Sequence, residues 1–376
     1  VIHNPKRTRI PHTFLTGLAV LALVMIIFDA ASRFKWKTID EYTLRALKLA
    51  FFFLLLNMFL LAIATSLLFG IKDVFLVLIF SSIMVGTSPD VILSMLKQGN
   101  HKIVELLRIE SIVNTPLTVL LPFIILDLMQ SLTAQEVIFS KLLDNLKPFI
   151  TQFVVGIGAG VLIGLIVAKA MKKAYSETIS PLALITAALL TYILAENLGG
   201  NGVLAVTVMG LMFGNFYVKQ KEQLYSFSSV FENSLMILVF ILVGIGISVP
   251  FSSYIFWIKA FILFIFYLCI RYAAVMWAMN KQKLTIKEKL FMTFNIPKGI
   301  AVAVVAFTLA TKVTEIPGLQ TILNLVVIFM LFSLIVATFV SKFDHWFLTP
   351  EKTLENEKER LFEKEKELEK KKNKNK

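Results

Sequence analysis

Long apolar runs alternate with short polar connectors from about Phe14 to Val340, and none shows the strict residue-by-residue alternation of a membrane strand. Each run is about twenty residues long, enough to cross a hydrocarbon core as an α-helix. About eleven are legible, centred near residues 22, 58, 84, 117, 160, 187, 208, 238, 265, 300 and 329. The expected fold class is therefore all-α, a polytopic protein of the lipid bilayer.

Two runs are interrupted at mid-length by helix breakers and polar groups, Val85-Gly-Thr-Ser-Pro-Asp90 and Phe294-Asn-Ile-Pro-Lys-Gly299. A break in lipid exposes amides and carbonyls that the protein must satisfy internally, and secondary transporters build midplane ion sites from such breaks. The basic residues orient the runs. Arg33, Lys35, Lys37, Arg45 and Lys48 follow the first run, Lys97, Lys102 and Arg108 the third, and Lys169, Lys172 and Lys173 the fifth. Lys219 and Lys221 follow the seventh, and Lys281, Lys283, Lys287 and Lys289 the ninth. The other loops hold only Lys72, Lys141, Lys147, Lys259 and Lys312, so the positive-inside bias places the first set and the C-terminal tail in the cytoplasm, with the cell membrane as the location. The two broken helices then run antiparallel, as an inverted-topology repeat requires.

That repeat divides the transmembrane part, residues 13–345, into 13–130 and 180–345, with a linker helix over 148–173. Residues 1–12 form a polar connector, and 350–376 a charged tail whose Leu354, Leu361 and Leu368 fit one solvated helix or a short coiled coil. The second broken helix is fifth in its block and the first only third. The symmetry thus predicts two more helices upstream of Val1.

Composition narrows the function classes. Hydrophobic residues make up 57% of the chain, and a net charge of +13 sits in loops and tail, where it faces anionic lipid rather than nucleic acid. Cys269 is the only cysteine, and His3, His12, His101 and His345 lack ligand spacing, so neither a disulfide framework nor a metal or cofactor site is expected. There is no His-Glu-x-x-His and no Gly-x-Ser-x-Gly, which argues against an enzyme. Gly156, Gly158, Gly160 and Gly164 follow no strand and read as close helix packing rather than a nucleotide loop.

Met25–Ala31, Thr87–Pro89, Glu110–Pro116, Glu196–Gly214, Phe240–Gly244, Arg271 and Pro297–Ile300, in that order, resemble the monovalent cation/proton antiporters, sodium/proton exchanger branch, over most of the chain. Met25-Ile-Ile-Phe-Asp-Ala-Ala31 resembles that family's Phe-Glu-Gly-Gly, Thr87-Ser88-Pro89 its Thr-Asp-Pro, and Glu110-Ser-Ile-Val-Asn-Thr-Pro116 its Glu-Ser-x-x-Asn-Asp-Pro. Glu196-Asn-Leu-Gly-Gly-Asn-Gly202 through Gly214, Phe240-Ile-Leu-Val-Gly244, Arg271 and Pro297-Lys-Gly-Ile300 continue the match. The resemblance implies a homodimer, about thirteen helices of which about eleven are present, and exchange of sodium or another monovalent cation for protons. It also implies two ion-binding aspartates, and here Ser88 and Thr115 stand at those positions. A hydroxyl ligates sodium but carries no proton that titrates near neutral pH.

The candidate cation and proton site is therefore Thr87, Ser88, Asp90, Glu110, Asn114 and Thr115. Asp90 either caps the helix after Pro89 or stands in for the lost aspartate as titrating carrier. Thr87 and Ser88 either ligate the ion or cap the break. Glu110 and Asn114, four apart, share a helix face, and Glu110 is either internal or an interfacial charge near Arg108. Glu110, Arg271 and Lys298 form a candidate core charge network, although Arg271 could instead snorkel towards Lys281. Asp29 and Asp127, nearer span ends, read as interfacial or packing groups, and Glu196 as a mouth or loop residue. The expected function is secondary active antiport by alternating access, with a degenerate, non-transporting or passive-leak relative in a structural or regulatory role as the alternative.

The loop charges generate a topology test. Single cysteines near Lys35, Lys102, Lys172, Lys221 and Lys283, in a Cys269→Ser background, should resist an impermeant maleimide added outside intact cells. Labelling of the Lys283 loop from outside would overturn the orientation.

Overall fold

The computed structural model describes residues 12–33, 41–88, 102–133, 142–173, 179–216, 234–235, 237–238, 241, 250, 253–282 and 284–348. Among these, the regular elements are all helical. Helix α1 spans His12–Ser32, and α2 (Glu41–Leu56) continues through a π turn (Asn57–Leu61) into α3 (Ala62–Phe69). Then follow α4 (Val74–Ile83), α5 (Lys102–Thr133), α6 (Leu142–Lys173), α7 (Ile179–Asn197) and α8 (Gly202–Asn215). The last five are α9 (Tyr254–Ala278), α10 (Ile286–Phe294), α11 (Ile300–Ala310), α12 (Leu319–Lys342) and the short α13 (Asp344–Phe347). Six helical stretches are long and apolar enough to cross a membrane, and four shorter apolar helices accompany them. Most of the run near 238, the chain from Pro89 to His101 with Asp90, and the C-terminal tail lie outside the described residues.

Local chemistry sets the ends. The Asp73 carboxylate accepts the Phe75 amide at 2.8 Å to open α4 just after Gly70, at φ 67°, closes α3. Thr285 and Glu288 close a capping box on α10, and the Asn201 side-chain oxygen accepts the Leu204 amide at 2.7 Å to start α8. In α5, Pro116 removes an amide within the helix, and the hydroxyls of Thr115 and Thr118 donate to the carbonyls of Ser111 and Asn114, each at 2.8 Å.

Burial separates two kinds of helix. The π turn and α3 expose Phe59, Ile63 and Leu67, at 67%, 57% and 79%, as a lipid-facing stripe. Helix α11 is buried from Ile300 to Leu309 and packs against α1, α5 and α12, while α4 sits against α3, α5 and α12. A helix apolar on every side belongs at the centre. The broken elements therefore form the middle of the molecule.

Helix α8 is clasped between α1 and α6 through small residues. A Cβ on Gly156 would meet the Asn201 carbonyl at 2.7 Å, one on Gly160 would collide with the Ala205 carbonyl, and one on Gly210 would meet the Phe28 carbonyl at 3.0 Å. Gly158 has open space instead. Close backbone approach of this kind is how membrane helices gain contact without a hydrophobic driving force. Gly160→Leu should therefore cost about 1–3 kcal/mol in detergent unfolding, whereas Gly158→Leu should melt like the parent. Equal melting of the two variants would contradict the clasp.

Candidate functional site

The two breaks meet at one point. Helix α4 ends as the Val85 and Gly86 amides turn to carbonyls three residues back, those of Ser82 and Ile83, and the Ser88 amide then donates to the Pro297 carbonyl at 2.9 Å. Asn295 caps α10 with an amide bond to Phe291 at 2.9 Å, and residues 296–298 run outside any helix before Gly299 opens α11. Lys298 reaches back from this segment. Its ammonium donates to the carbonyls of Met84 and Gly86 and to the Tyr267 hydroxyl, each at 2.6 Å, and the Tyr267 hydroxyl donates to Met84 at 3.1 Å. Its own amide donates to the Ser333 hydroxyl at 3.1 Å. Three donors thus meet three acceptors at the carboxyl end of α4, where the helix dipole favours a cation.

A second charge sits one turn further along α9. Arg271, with no exposed surface, holds both oxygens of Glu110 in a fork, at 2.5 and 2.7 Å. Its Nε donates to the Met292 carbonyl at 3.4 Å, and the guanidinium lies 4.7 Å from the centre of the Phe53 ring. Asn114 adds an amide bond of 3.2 Å to the same carboxylate. The snorkelling reading of Arg271 and the interfacial reading of Glu110 are both corrected: the partners face each other across α5 and α9, and neither reaches solvent.

A cavity opens on the other side of α5. On a helix, positions 108, 112 and 115 share one face and 110 and 114 the opposite one. Arg108, Ile112 and Thr115 line the cavity. Thr87, Ser88 and residues Gly299 to Val302 of the two breaks line it as well, together with Ile26, Asp29, Ala30 and Arg33 of α1. Of the six site candidates, the structure brings Thr87, Ser88 and Thr115 together, places Glu110 and Asn114 in the ion pair, and does not describe Asp90. The Thr87 hydroxyl and the Asn114 side-chain oxygen, both buried, make no hydrogen bond among the described residues.

Asp29 is the residue whose place differs most from its reading as an interfacial or packing group. It is 3% exposed, it lines the cavity, and one carboxylate oxygen bonds Arg33 Nε at 2.5 Å while the other makes no hydrogen bond among the described residues. The signal was available in the spacing of Ile26, Asp29, Ala30 and Arg33, which share a helix face. Tyr267 was overlooked too; a phenol four residues before a buried arginine needs a partner of its own. Glu196, exposed in the last turn of α7 rather than in a loop, accepts the Gly202 amide at 2.8 Å at the start of α8, and Asn201 donates to Asp127 at 2.7 Å near that end.

The sequence profile of the family described as sodium/hydrogen exchanger, transmembrane, matches residues 2–343. The chain belongs to that family. Among curated members, it is 23% identical to the low-affinity Na+/H+ antiporter NhaS1 of Synechocystis sp., over 65% of this chain and 51% of that protein. It is 25% identical to the K+/H+ antiporter NhaP2 of a Shewanella species, over 52% of this chain and 34% of the relative. The chain spans about half the length of the curated relatives it matches. The fold is shared with the sodium proton antiporter MjNhaP1 of Methanocaldococcus jannaschii, at a TM-score of 0.69 and 19% identity, over 90% of this chain and 87% of that one. Membership of this family, with the long apolar helices, makes the protein a multi-pass membrane protein.

Removing one member of a buried pair strands the other charge, at a cost of about 3–5 kcal/mol. Glu110→Gln should lower thermal stability in detergent by that order, and exchanging the two charges in Glu110→Arg with Arg271→Glu should recover part of it. Parental melting of Glu110→Gln would refute a structural role for the pair.

Proposed function

We propose that this protein exchanges a monovalent cation, sodium foremost, for protons by alternating access, as a homodimer with two antiparallel broken helices in an inverted repeat. The observation that carries the proposal is the cavity at the crossing, where the Asp29 carboxylate lies with the hydroxyls of Thr87, Ser88 and Thr115. Antiport needs one site that a cation and a proton occupy in competition. The hydroxyls offer ligand oxygens but no titrating proton, and the resemblance places the family's aspartates where Ser88 and Thr115 stand. Asp29 supplies the missing carboxylate, with one oxygen steadied by Arg33 and the other free for an ion. Loop charge puts Arg33 and Arg108 at the cytoplasmic end, so this is an inward-open arrangement. Relatives described as Na+/H+ and K+/H+ antiporters support the exchange class.

The protein, reconstituted with an internal pH dye, should respond to sodium, potassium or lithium gradients. Asp29→Asn should fall to the rate of empty liposomes, Asp29→Glu should keep part of the activity, and Asp90→Asn should exchange like the parent. Undiminished exchange in Asp29→Asn would reject this carrier. Loss confined to Asp90→Asn would transfer the role to Asp90.

A further inference from the structure

The cavity has the wrong charge for a cation site standing alone. Its charged lining is one carboxylate, Asp29, against two guanidinium groups, Arg33 and Arg108. Asp29 is already bridged by Arg33, and among the described residues the ion-pair partner of Arg108 is a half-exposed Glu105 at 3.5 Å, outside the lining. The amino-terminal end of α11 adds to the positive side. Helix α11 begins at Ile300 with Gly299 as its N-cap, and no described side chain caps it. Its first turn, Ile300 to Val302, lines the cavity. The unpaired amides and the dipole of such an end attract negative charge.

An independent feature points at the same place. Thr87 is 6% exposed, lines this cavity, and its buried hydroxyl has no hydrogen-bond partner among the described residues. A buried hydroxyl left unpaired costs about 1–3 kcal/mol, so its persistence signals a partner beyond the described residues. Ser88 stands beside it, its side chain pressed so closely on Gly299 that a Cβ there would overlap it. The Ser88 side chain thereby sits at the N-cap of α11, where a carboxylate in its stead would meet the helix end.

We propose that the cavity binds a small monovalent anion of the size and charge of chloride at the amino-terminal end of α11, held by the first-turn amides and the hydroxyls of Thr87 and Ser88. The anion occupies the space beside Ser88 that a carboxylate side chain would fill, and it offsets the positive helix end and the nearby Arg108 guanidinium. For the exchange reading the consequence is direct: with the anion in place, the free oxygen of Asp29 faces a cavity that no longer repels sodium. The anion site itself stands on the geometry, and only this transport consequence rests on the exchange reading.

The test reads binding without any gradient. The purified full chain is melted in sodium gluconate and with chloride, bromide or nitrate replacing gluconate at constant sodium and ionic strength. The parent should show a saturable rise in Tm with chloride. Thr87→Val should raise the half-saturating concentration about tenfold, the worth of one hydrogen bond to an ion. Ser88→Asp, which supplies its own carboxylate, should melt alike in gluconate and chloride. A parent indifferent to the anion would overturn the proposal, as would chloride dependence undiminished in both Ser88→Asp and Thr87→Val. An indifferent parent that becomes chloride-dependent as Asp90→Asn would overturn it as well, by assigning the helix cap to Asp90. Intact chloride dependence beside silent liposomes would instead reject the exchange reading and leave the anion site standing.

Discussion

A helix that stops halfway through a bilayer leaves carbonyls with no water to bind, and the structure is arranged around the one ammonium that meets them. Lys298 donates to Met84 and Gly86 at the end of α4 and to Tyr267 of α9, while its own amide is tied to Ser333 of α12. An unsatisfied backbone group in the hydrocarbon region costs several kcal/mol, and a charged side chain at the bilayer centre about 2.5–3.5 kcal/mol on insertion scales. Each liability cancels the other here. One residue thereby joins both breaks and two further helices.

The Arg271–Glu110 fork solves a related problem. Lys298 reaches Tyr267 of α9 from the second break, and Arg271 follows Tyr267 by four residues on that helix, so a second unpaired cation beside the first would be untenable. Glu110 neutralises the guanidinium, and the Phe53 ring and the Met292 carbonyl occupy its remaining directions. A buried ion pair of this kind contributes little net stability against an apolar equivalent. Its effect is geometric, because it fixes how α5 meets α9 and so which face of α5 turns towards the cavity.

That rotation divides two tasks along a single helix. One face of α5, Glu110 and Asn114, serves the charge network. The other, Arg108, Ile112 and Thr115, serves the cavity shared with α1 and the two breaks. The close glycine contacts of α8 with α1 and α6 hold α1 near this crossing, which is why Asp29, one turn from the end of its helix, lies at 3% exposure among polar groups of the core.

The hydropathy of the runs, the two sets of helix breakers and the ordered motifs made an all-helical membrane protein of the exchanger family legible from the chain alone, because lipid leaves an unpaired backbone few alternatives to the helix. The same logic flagged Lys298 and Glu110, since a charge inside an apolar run must have a partner. Which partner it has was beyond the sequence. Arg271 is separated from Glu110 by 161 positions and Lys298 from Met84 by 214, and no local periodicity encodes such pairings. Asp29 looked interfacial because depth judged along one helix ignores how neighbouring helices tilt and pack over it. Thr115 looked like the companion of Asn114 because adjacency in sequence conceals a rotation of about 100° per residue around the helix axis. Residue type and period determined the elements and the presence of buried charge; only the packing of α1, α5 and the two breaks decided which groups share a cavity, because that depends on distances through space that the order of residues does not contain.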